Sequence, residues 1–417
     1  MRRDLILRGG RVLRFGAKEL ETLDIRIGAG GRIEAIGASL AAPDAAEVRE
    51  VGERMVVPGL VDMHQHLDKS RTRTLASNPT GTLAGASEAY RAIAPGITPQ
   101  QMMARALRTI DSCSAYGTVA IRSHTNIDPQ TELRGIEAMI EVREKAANLM
   151  RVQIVAHVTS GATSMLPESR EWLRGAVALG VDVIGGVPAY SDRPIEFMKL
   201  LFDAAENSGL PLDMHIDEHL DETRVLFDSL IEMTRAYGMS GRVVAGHGSA
   251  LSALAPNEAG RVIEALAKAG IGVVTLPAAN LFLQGRDAQR LAPRGLTRVG
   301  DLLAAGVPVA AASDNIQDPF IPTGNGDLLE IARWTLLAGQ LDPNDLRPAF
   351  EMVSAVPAGL MGLESDWGIR KGARADLLIA DAASVEDLVA GGAVQRQTLI
   401  GGRMVASTIL ARDTEGR

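Results

Sequence analysis

The chain has 417 residues, 46 % hydrophobic and 23 % charged, which is long enough for one large α/β unit with an accessory and too apolar for extended disorder. Its net charge of −8 offers no basic surface for a phosphate backbone and argues against nucleic acid as a partner. Cys113 is the single cysteine, so an intrachain disulfide and a thiolate metal cluster are excluded; any metal has to sit on His, Asp or Glu.

The N-terminus carries Arg2 and Arg3 but lacks the apolar length of a secretory signal, and no later run approaches a membrane span. A cytoplasmic protein is the expectation, with no membrane partner. From Asp4 to about Val56 the chain reads as short strands with glycine turns, among them Leu5-Ile-Leu-Arg and Thr22-Leu-Asp-Ile-Arg-Ile. The tail repeats that texture in Gly372-Ala-Arg-Ala-Asp-Leu-Leu-Ile-Ala and Thr398-Leu-Ile-Gly-Gly-Arg-Met-Val. Both ends together predict one small β-sandwich, built from residues 1–56 and 367–417 around a middle unit at 57–366.

That middle alternates apolar strands with helical patterns eight times, the strands ending near His64, His124, His157, Val187, His215, His247, Thr275 and Asp314. Helical segments lie between them, such as Pro99-Gln-Gln-Met-Met-Ala-Arg-Ala-Leu-Arg-Thr-Ile, whose apolar residues recur at three and four. Eight strand–helix alternations predict an α/β fold with parallel strands closed into a distorted (β/α)8 TIM barrel. No G-x-G-x-x-G follows the first strand, which removes support for a dinucleotide fold.

The first of these strands carries the strongest chemical signal, Val57-Pro-Gly-Leu-Val-Asp-Met-His-Gln-His-Leu-Asp68. Val56, Val57, Leu60, Val61 and Met63 read as one buried strand, and side chains alternate along a strand, so His64 and His66 share a face and can grip one ion. Leu212-Asp-Met-His-Ile-Asp-Glu-His219, Val243-Val-Ala-Gly-His247 and Val309-Ala-Ala-Ala-Ser-Asp-Asn315 likewise end apolar strands in polar residues. In a closed barrel those ends converge on one mouth, and His64, His66, His215 and Asp314 then offer three imidazoles and a carboxylate to a single divalent ion, zinc or iron. Such an ion lowers the pKa of its water to about 7, which points to hydrolysis.

Glu218, three residues beyond His215, is placed to take the water's proton and pass it to a leaving nitrogen, while His247 orients hydroxide or polarises the group under attack. Alone, Glu218 reads equally as a solvated loop charge among Asp213, Asp217, Asp221 and Glu222, and Asp314 as a cap of the Asp-Asn turn. His124 and His157 lack acidic neighbours in a ligand-like arrangement and read as structural or substrate-contacting residues, not as ligands. The run His215-Ile-Asp-Glu-His219 also spells the H-x-x-E-H of inverted zinc peptidases, but that pattern needs a helix, and Leu210, Leu212 and Met214 feed it as a strand.

Together with Pro58-Gly59, these residues resemble the amidohydrolase superfamily, most closely bacterial cytosine deaminase. The likeness is densest at His66-Leu-Asp, Val152-Gln-Ile-Val-Ala, Asn280-Leu-Phe-Leu-Gln-Gly-Arg, Arg294-Gly-Leu-Thr-Arg-Val and Asp314-Asn-Ile-Gln-Asp-Pro-Phe-Ile-Pro, and extends to Trp367-Gly-Ile-Arg-Lys-Gly-Ala-Arg-Ala-Asp. It implies one metal on His64, His66, His215 and Asp314, Glu218 as proton shuttle, His247 as hydroxide partner, and loss of ammonia from a ring carbon. The strand near Val187 carries no lysine, so the bridge of two-metal relatives has no source. His157, Thr159, Asn315 and Phe320 are the expected substrate contacts. Thr159 stands where the family's cytosine-reading glutamine is expected, Phe320 in place of a tryptophan and Asn315 in place of a second acid, and a threonine cannot offer both amide donor and acceptor. Cytosine is thereby disfavoured. The expected activity is hydrolytic deamination of an aminopyrimidine, an aminotriazine or a related cyclic amidine. Its competitors are cleavage of a cyclic amide or N-alkyl C–N bond, and an inactive scaffold. The expected partner is a small heterocyclic substrate, and the expected assembly a homo-oligomer.

Overall fold

A computed structural model describes residues 3–44, 46–159 and 162–410; residues 1–2 and 411–417 of the two terminal segments lie outside it. Eight strands from the middle of the chain form one all-parallel sheet in sequential order. They are β1 (Leu60–Gln65), β2 (Thr118–Ile127), β3 (Arg151–Val158), β4 (Val183–Gly186), β5 (Leu212–Ile216), β6 (Val243–His247), β7 (Gly272–Thr275) and β8 (Val309–Ala311). Nearly every residue of these strands is buried, as expected of a parallel sheet covered by its crossover helices.

The eight strands are the eight expected, with two adjustments. β2 continues three residues past His124 to Ile127, so His124 lies inside the barrel and not at its rim. Val56 and Val57 do not run into β1: Met55–Pro58 is a separate strand that pairs antiparallel with Leu377–Ala380 of the terminal sheet. The break falls at Gly59, where a Cβ would lie 2.2 Å from a Val119 methyl. The Gly59 N–H donates to Asp376 O, and its carbonyl accepts from the Trp367 indole at 2.9 Å.

β8 and β1 meet through a single parallel bridge, Gln65 with Asp314, in which Asp314 N–H donates to His64 O at 2.9 Å. Nearer the strand starts, Val61 N–H donates to Val353 O and Ala311 N–H to Met352 O, so residues 352–353 fill the remaining gap. The barrel is thus closed but distorted. Helix signals behave as read: Thr98 caps the helix Pro99–Ala115 in a reciprocal capping box with Gln101, and Pro99 occupies its first turn.

The terminal strands Leu5–Val12, Glu21–Ile27, Ile33–Gly37, Glu47–Glu50, Met55–Pro58, Leu377–Ala380, Arg396–Ile400 and Arg403–Thr408 join in a second eight-stranded sheet. One edge of Leu5–Val12 pairs with Glu47–Glu50 and then with Met55–Val56, which bends the sheet around its own apolar cluster of Leu7, Ile25, Ile33, Val56, Leu377 and Ile379. Among the described residues no helix is long and apolar enough to cross a membrane.

Candidate active site

The two-residue period of the strands sorts the barrel interior into layers. Along β2, Arg122, His124 and Asn126 point inward; along β5, Asp213 and His215 do so. The lowest layer holds Arg122, 1 % exposed, whose guanidinium donates to Asp213 at 2.7 Å, to Gln153 Oε1 at 3.0 Å and to Leu360 O at 3.3 Å. Above it, His124 stacks on His64 with ring centroids 3.9 Å apart, and its Nε2 lies 3.6 Å from Asp213 Oδ1. The acidic neighbour that His124 lacks in sequence is therefore supplied from across the barrel.

The top layer brings the expected ligand set together. His66 Nε2 lies 3.3 Å from both His215 Nε2 and Asp314 Oδ1, and His64 Nε2 lies 3.8 Å from the same oxygen. Ligand atoms held tetrahedrally 2.0–2.2 Å from one ion are themselves about 3.3–3.6 Å apart, so the spacing fits a small divalent cation. Both ring nitrogens of buried His64 lack a hydrogen-bond partner, while His66 Nδ1 sits 2.9 Å from His124 O, which fixes its proton there and leaves Nε2 free to coordinate. Gly246 makes room for the His64 ring: a Cβ there would stand 3.0 Å from His64 Cε1.

Burial also sets the protonation states. Desolvation, with the neighbouring imidazoles, pushes His64, His124, His157 and His215 well below the usual histidine range and His247 down to about 4. Neutral imidazoles are the form that binds metal. Burial works against ionised Asp314, but contact with His66 and the nearby His247 and Lys69 outweigh it and hold its carboxyl below the usual range. Glu218 goes the other way: burial and the Asp314 charge push it well above the usual carboxylate range.

Glu218 Oε1 is 3.4 Å from His247 Nδ1, which is also 3.2 Å from the Asn280 side-chain amide. Gln284 holds the Glu218 backbone by donating to its carbonyl at 3.1 Å. His247 and Asp314 take left-handed backbone angles, φ 67° and 60°, rare for side chains of their size and the kind of strain that collects at functional sites.

A cavity of about 250 Å³ opens above this cluster and is lined by His66, His215, Glu218, His247, Asp314, His157, Thr159, Asn315 and Phe320. Every expected site residue except His64 faces it; His64 lies behind. Asn315 is partly committed, its amide donating to Asp318 at 2.6 Å. His219 is outside the cavity, and Asp217, φ 50°, turns the chain directly after β5, so His215 and His219 do not share a helix face and the peptidase pattern fails. The cavity also includes Lys69, Tyr90, Arg91 and Asn126, none of which the sequence singles out.

The amidohydrolase family matches residues 71–406. The chain belongs to that family. It is 30 % identical to the pterin deaminase of Rhizobium rhizogenes over 390 residues, covering 90 % of this chain and 86 % of that protein. It is 28 % identical to the N-isopropylammelide isopropyl amidohydrolase of Pseudomonas sp. strain ADP, covering 96 % of this chain and 97 % of that protein. Among solved structures it superposes on the 5-methylcytosine deaminase of Klebsiella pneumoniae liganded with 5-fluorocytosine with a TM-score of 0.89 at 28 % identity, covering 98 % of each chain. This amidohydrolase is a hydrolase of carbon–nitrogen bonds in a metal-dependent family, and its His/Asp cluster offers such an ion a place.

Proposed function

We propose that this amidohydrolase removes an exocyclic amino group from a small nitrogen heterocycle: water adds to the ring carbon, the C–N bond breaks, and ammonia leaves. The observation that carries the reading is the pairing of Glu218 with His247 over the convergence of His66, His215 and Asp314, all on one cavity wall. His64, His66, His215 and Asp314 would hold one divalent ion, zinc or iron, whose Lewis acidity makes water ionise near neutral pH. Glu218 accepts a proton from water at its Oε1 side and returns it to the departing nitrogen; its raised pKa suits it to both directions. His247 holds the oxygen's position, braced by Asn280. His157, Thr159 and Phe320 bound the ring, and Thr159 leaves no paired amide contact, which supports an aminotriazine, a fused ring or a modified pyrimidine over cytosine.

The full-length likeness to an isopropyl amidohydrolase favours one second reading, loss of an alkylamine in place of ammonia. Amine release from metal-replete protein over a panel of amino- and alkylamino-heterocycles tests both, with Glu218→Gln alongside. Release from one ring, lost in the variant, identifies the reaction and its leaving group; silence over the whole panel overturns the proposal. The reading keeps a cytoplasmic homo-oligomer as its setting.

A further inference from the structure

Lys69 has no role in the chemistry above, yet it is 3 % exposed and lines the cavity. Its Nζ donates to Asn126 Oδ1 at 2.8 Å and lies 3.2 Å from His66 Nδ1. That second contact is not an acceptor, because His66 Nδ1 directs its own proton to His124 O. Among the described residues no carboxylate comes within 4.0 Å of the Lys69 ammonium, and the rings of Tyr90 and Phe320 stand 5.5 and 5.2 Å from it. Of three N–H donors one is engaged, which leaves two on a buried cation at the cavity wall. A buried charge is ordinarily paired.

The helix Leu83–Ile93 extends the same wall. Leu83, Ser87, Tyr90 and Arg91, at helical spacings of i, i+4, i+7 and i+8, all line the cavity. Asp128, which lines this side of the cavity, spends its Oδ1 on the backbone N–H groups of Gln130 and Thr131 and on the Thr131 hydroxyl. Opposite the strand ends, the wall therefore carries an inner cation and an outer one, neither of them, among the described residues, in an ion pair within 4.0 Å; Asp314 and Glu218 share the cavity and feel the Lys69 charge only at longer range.

We propose that the substrate carries an anionic oxygen, either a carboxylate substituent or the ionised oxo group of an acidic ring, and that Lys69 binds it, with Arg91 as the outer contact. This deepens the reading above by naming the substrate's charge, and it takes from that reading only that the substrate occupies this cavity. The test uses rings with no amine to lose. Metal-replete protein is titrated calorimetrically with pyrazine-2-carboxylate against pyrazine, and with barbiturate against uracil. The anionic member of one pair binds at least about ten-fold tighter, in line with a charge-assisted hydrogen bond; the pair that responds distinguishes the two oxygen types. The preference is lost in Lys69→Met, kept largely in Lys69→Arg and reduced in Arg91→Ala, with metal content measured in each. Equal binding within both pairs, or an unchanged preference in Lys69→Met, overturns the proposal. If Lys69→Met does not fold, an unchanged preference in Arg91→Ala does so. Silence on the amine panel with the anion preference intact discards the reaction and keeps the cation wall; ammonia release with equal binding does the reverse.

Discussion

Replacing Arg122 by methionine removes the cation at the floor of the barrel while keeping most of its volume. Asp213, fully buried, is pushed up to about 6 by burial even with Arg122 beside it, a penalty of about 3 kcal/mol at neutral pH relative to its ordinary 3.8. Without the guanidinium the carboxyl takes up a proton, which caps its penalty at pH 7 at about 4 kcal/mol, so the carboxyl itself adds only about 1 kcal/mol. Gln153 Oε1 and Leu360 O lose their donor as well, at about 1–3 kcal/mol each. The sum, roughly 3–7 kcal/mol, corresponds to a fall in Tm of about 3–8 °C, taking about 2.1 cal/mol/K per residue over 417 residues. Scanning calorimetry at matched metal content reads it directly. A carboxyl raised in the folded state carries its penalty above its folded pKa and sheds it toward the unfolded one. At pH 5 both proteins therefore hold Asp213 protonated, and the gap narrows by about 1 kcal/mol. Arg122→Met/Asp213→Leu is expected to recover at least half of the loss, since a buried pair is replaceable by apolar groups. A single variant within 1 °C of wild type, or a double variant as deficient as the sum of its singles, refutes the account.

His64→Ala, His66→Ala, His215→Ala and Asp314→Ala are each expected to lower bound divalent metal at least about ten-fold by mass spectrometry, and His219→Ala to leave it unchanged; loss of metal in the last would return the ligand set to question. Metal-free protein is expected to lose stability as pH falls below 6.5. His64, His124, His157, His215 and His247 are all depressed by burial, the last to about 4, so the unfolded chain binds more protons there. Each histidine contributes about 1 kcal/mol between pH 6.5 and 5.5, on the order of 5 kcal/mol together, and a flat urea-unfolding profile over that range would contradict the neutral cluster. Gly246→Ala sets a methyl 3.0 Å from His64 Cε1 and 3.4 Å from Met214 O, so the ring has to shift; metal affinity is expected to fall about ten-fold, and an unaltered affinity rules out that role for the glycine.

What the sequence reveals here is what lies on one strand or one turn. The eight strands are legible because parallel strands are buried on both faces and read as apolar runs, most of them stopped by a polar residue at the mouth, the strand before Val187 excepted. His64, His66, His215, Glu218, His247 and Asp314 are legible for the same reason. The break at Gly59 is hidden because Val56, Val57, Leu60 and Val61 are equally apolar although they serve two different sheets; only Pro58-Gly59 hints at it. Arg122, His124 and Asp213 meet only through closure of the barrel, the last two standing 89 positions apart in the chain, and no local pattern carries that. Lys69 sits in Leu67-Asp-Lys-Ser-Arg-Thr-Arg73, a stretch with the look of a solvated loop, and its burial under Tyr90 and Phe320 is wholly tertiary.

The seam of the barrel explains why the ligands stand where they do. β8 joins β1 not by a ladder but by the Gln65–Asp314 bridge, and the peptide group that makes it belongs to the residue whose carboxylate faces His66. Gln65, pointing away from the two histidines that flank it, ties the same seam from outside through Asp62 and Ser313, each at 3.0 Å. The left-handed φ of Asp314 is the turn that allows one residue to donate its N–H to His64 and still aim its side chain inward. Closing the barrel and assembling the ligand set are therefore one structural event, and an ion shared by β1, β5 and β8 would lock the weakest edge of the sheet. Stability and chemistry share that edge, so a substitution that loosens the seam reaches the site even when it touches no ligand.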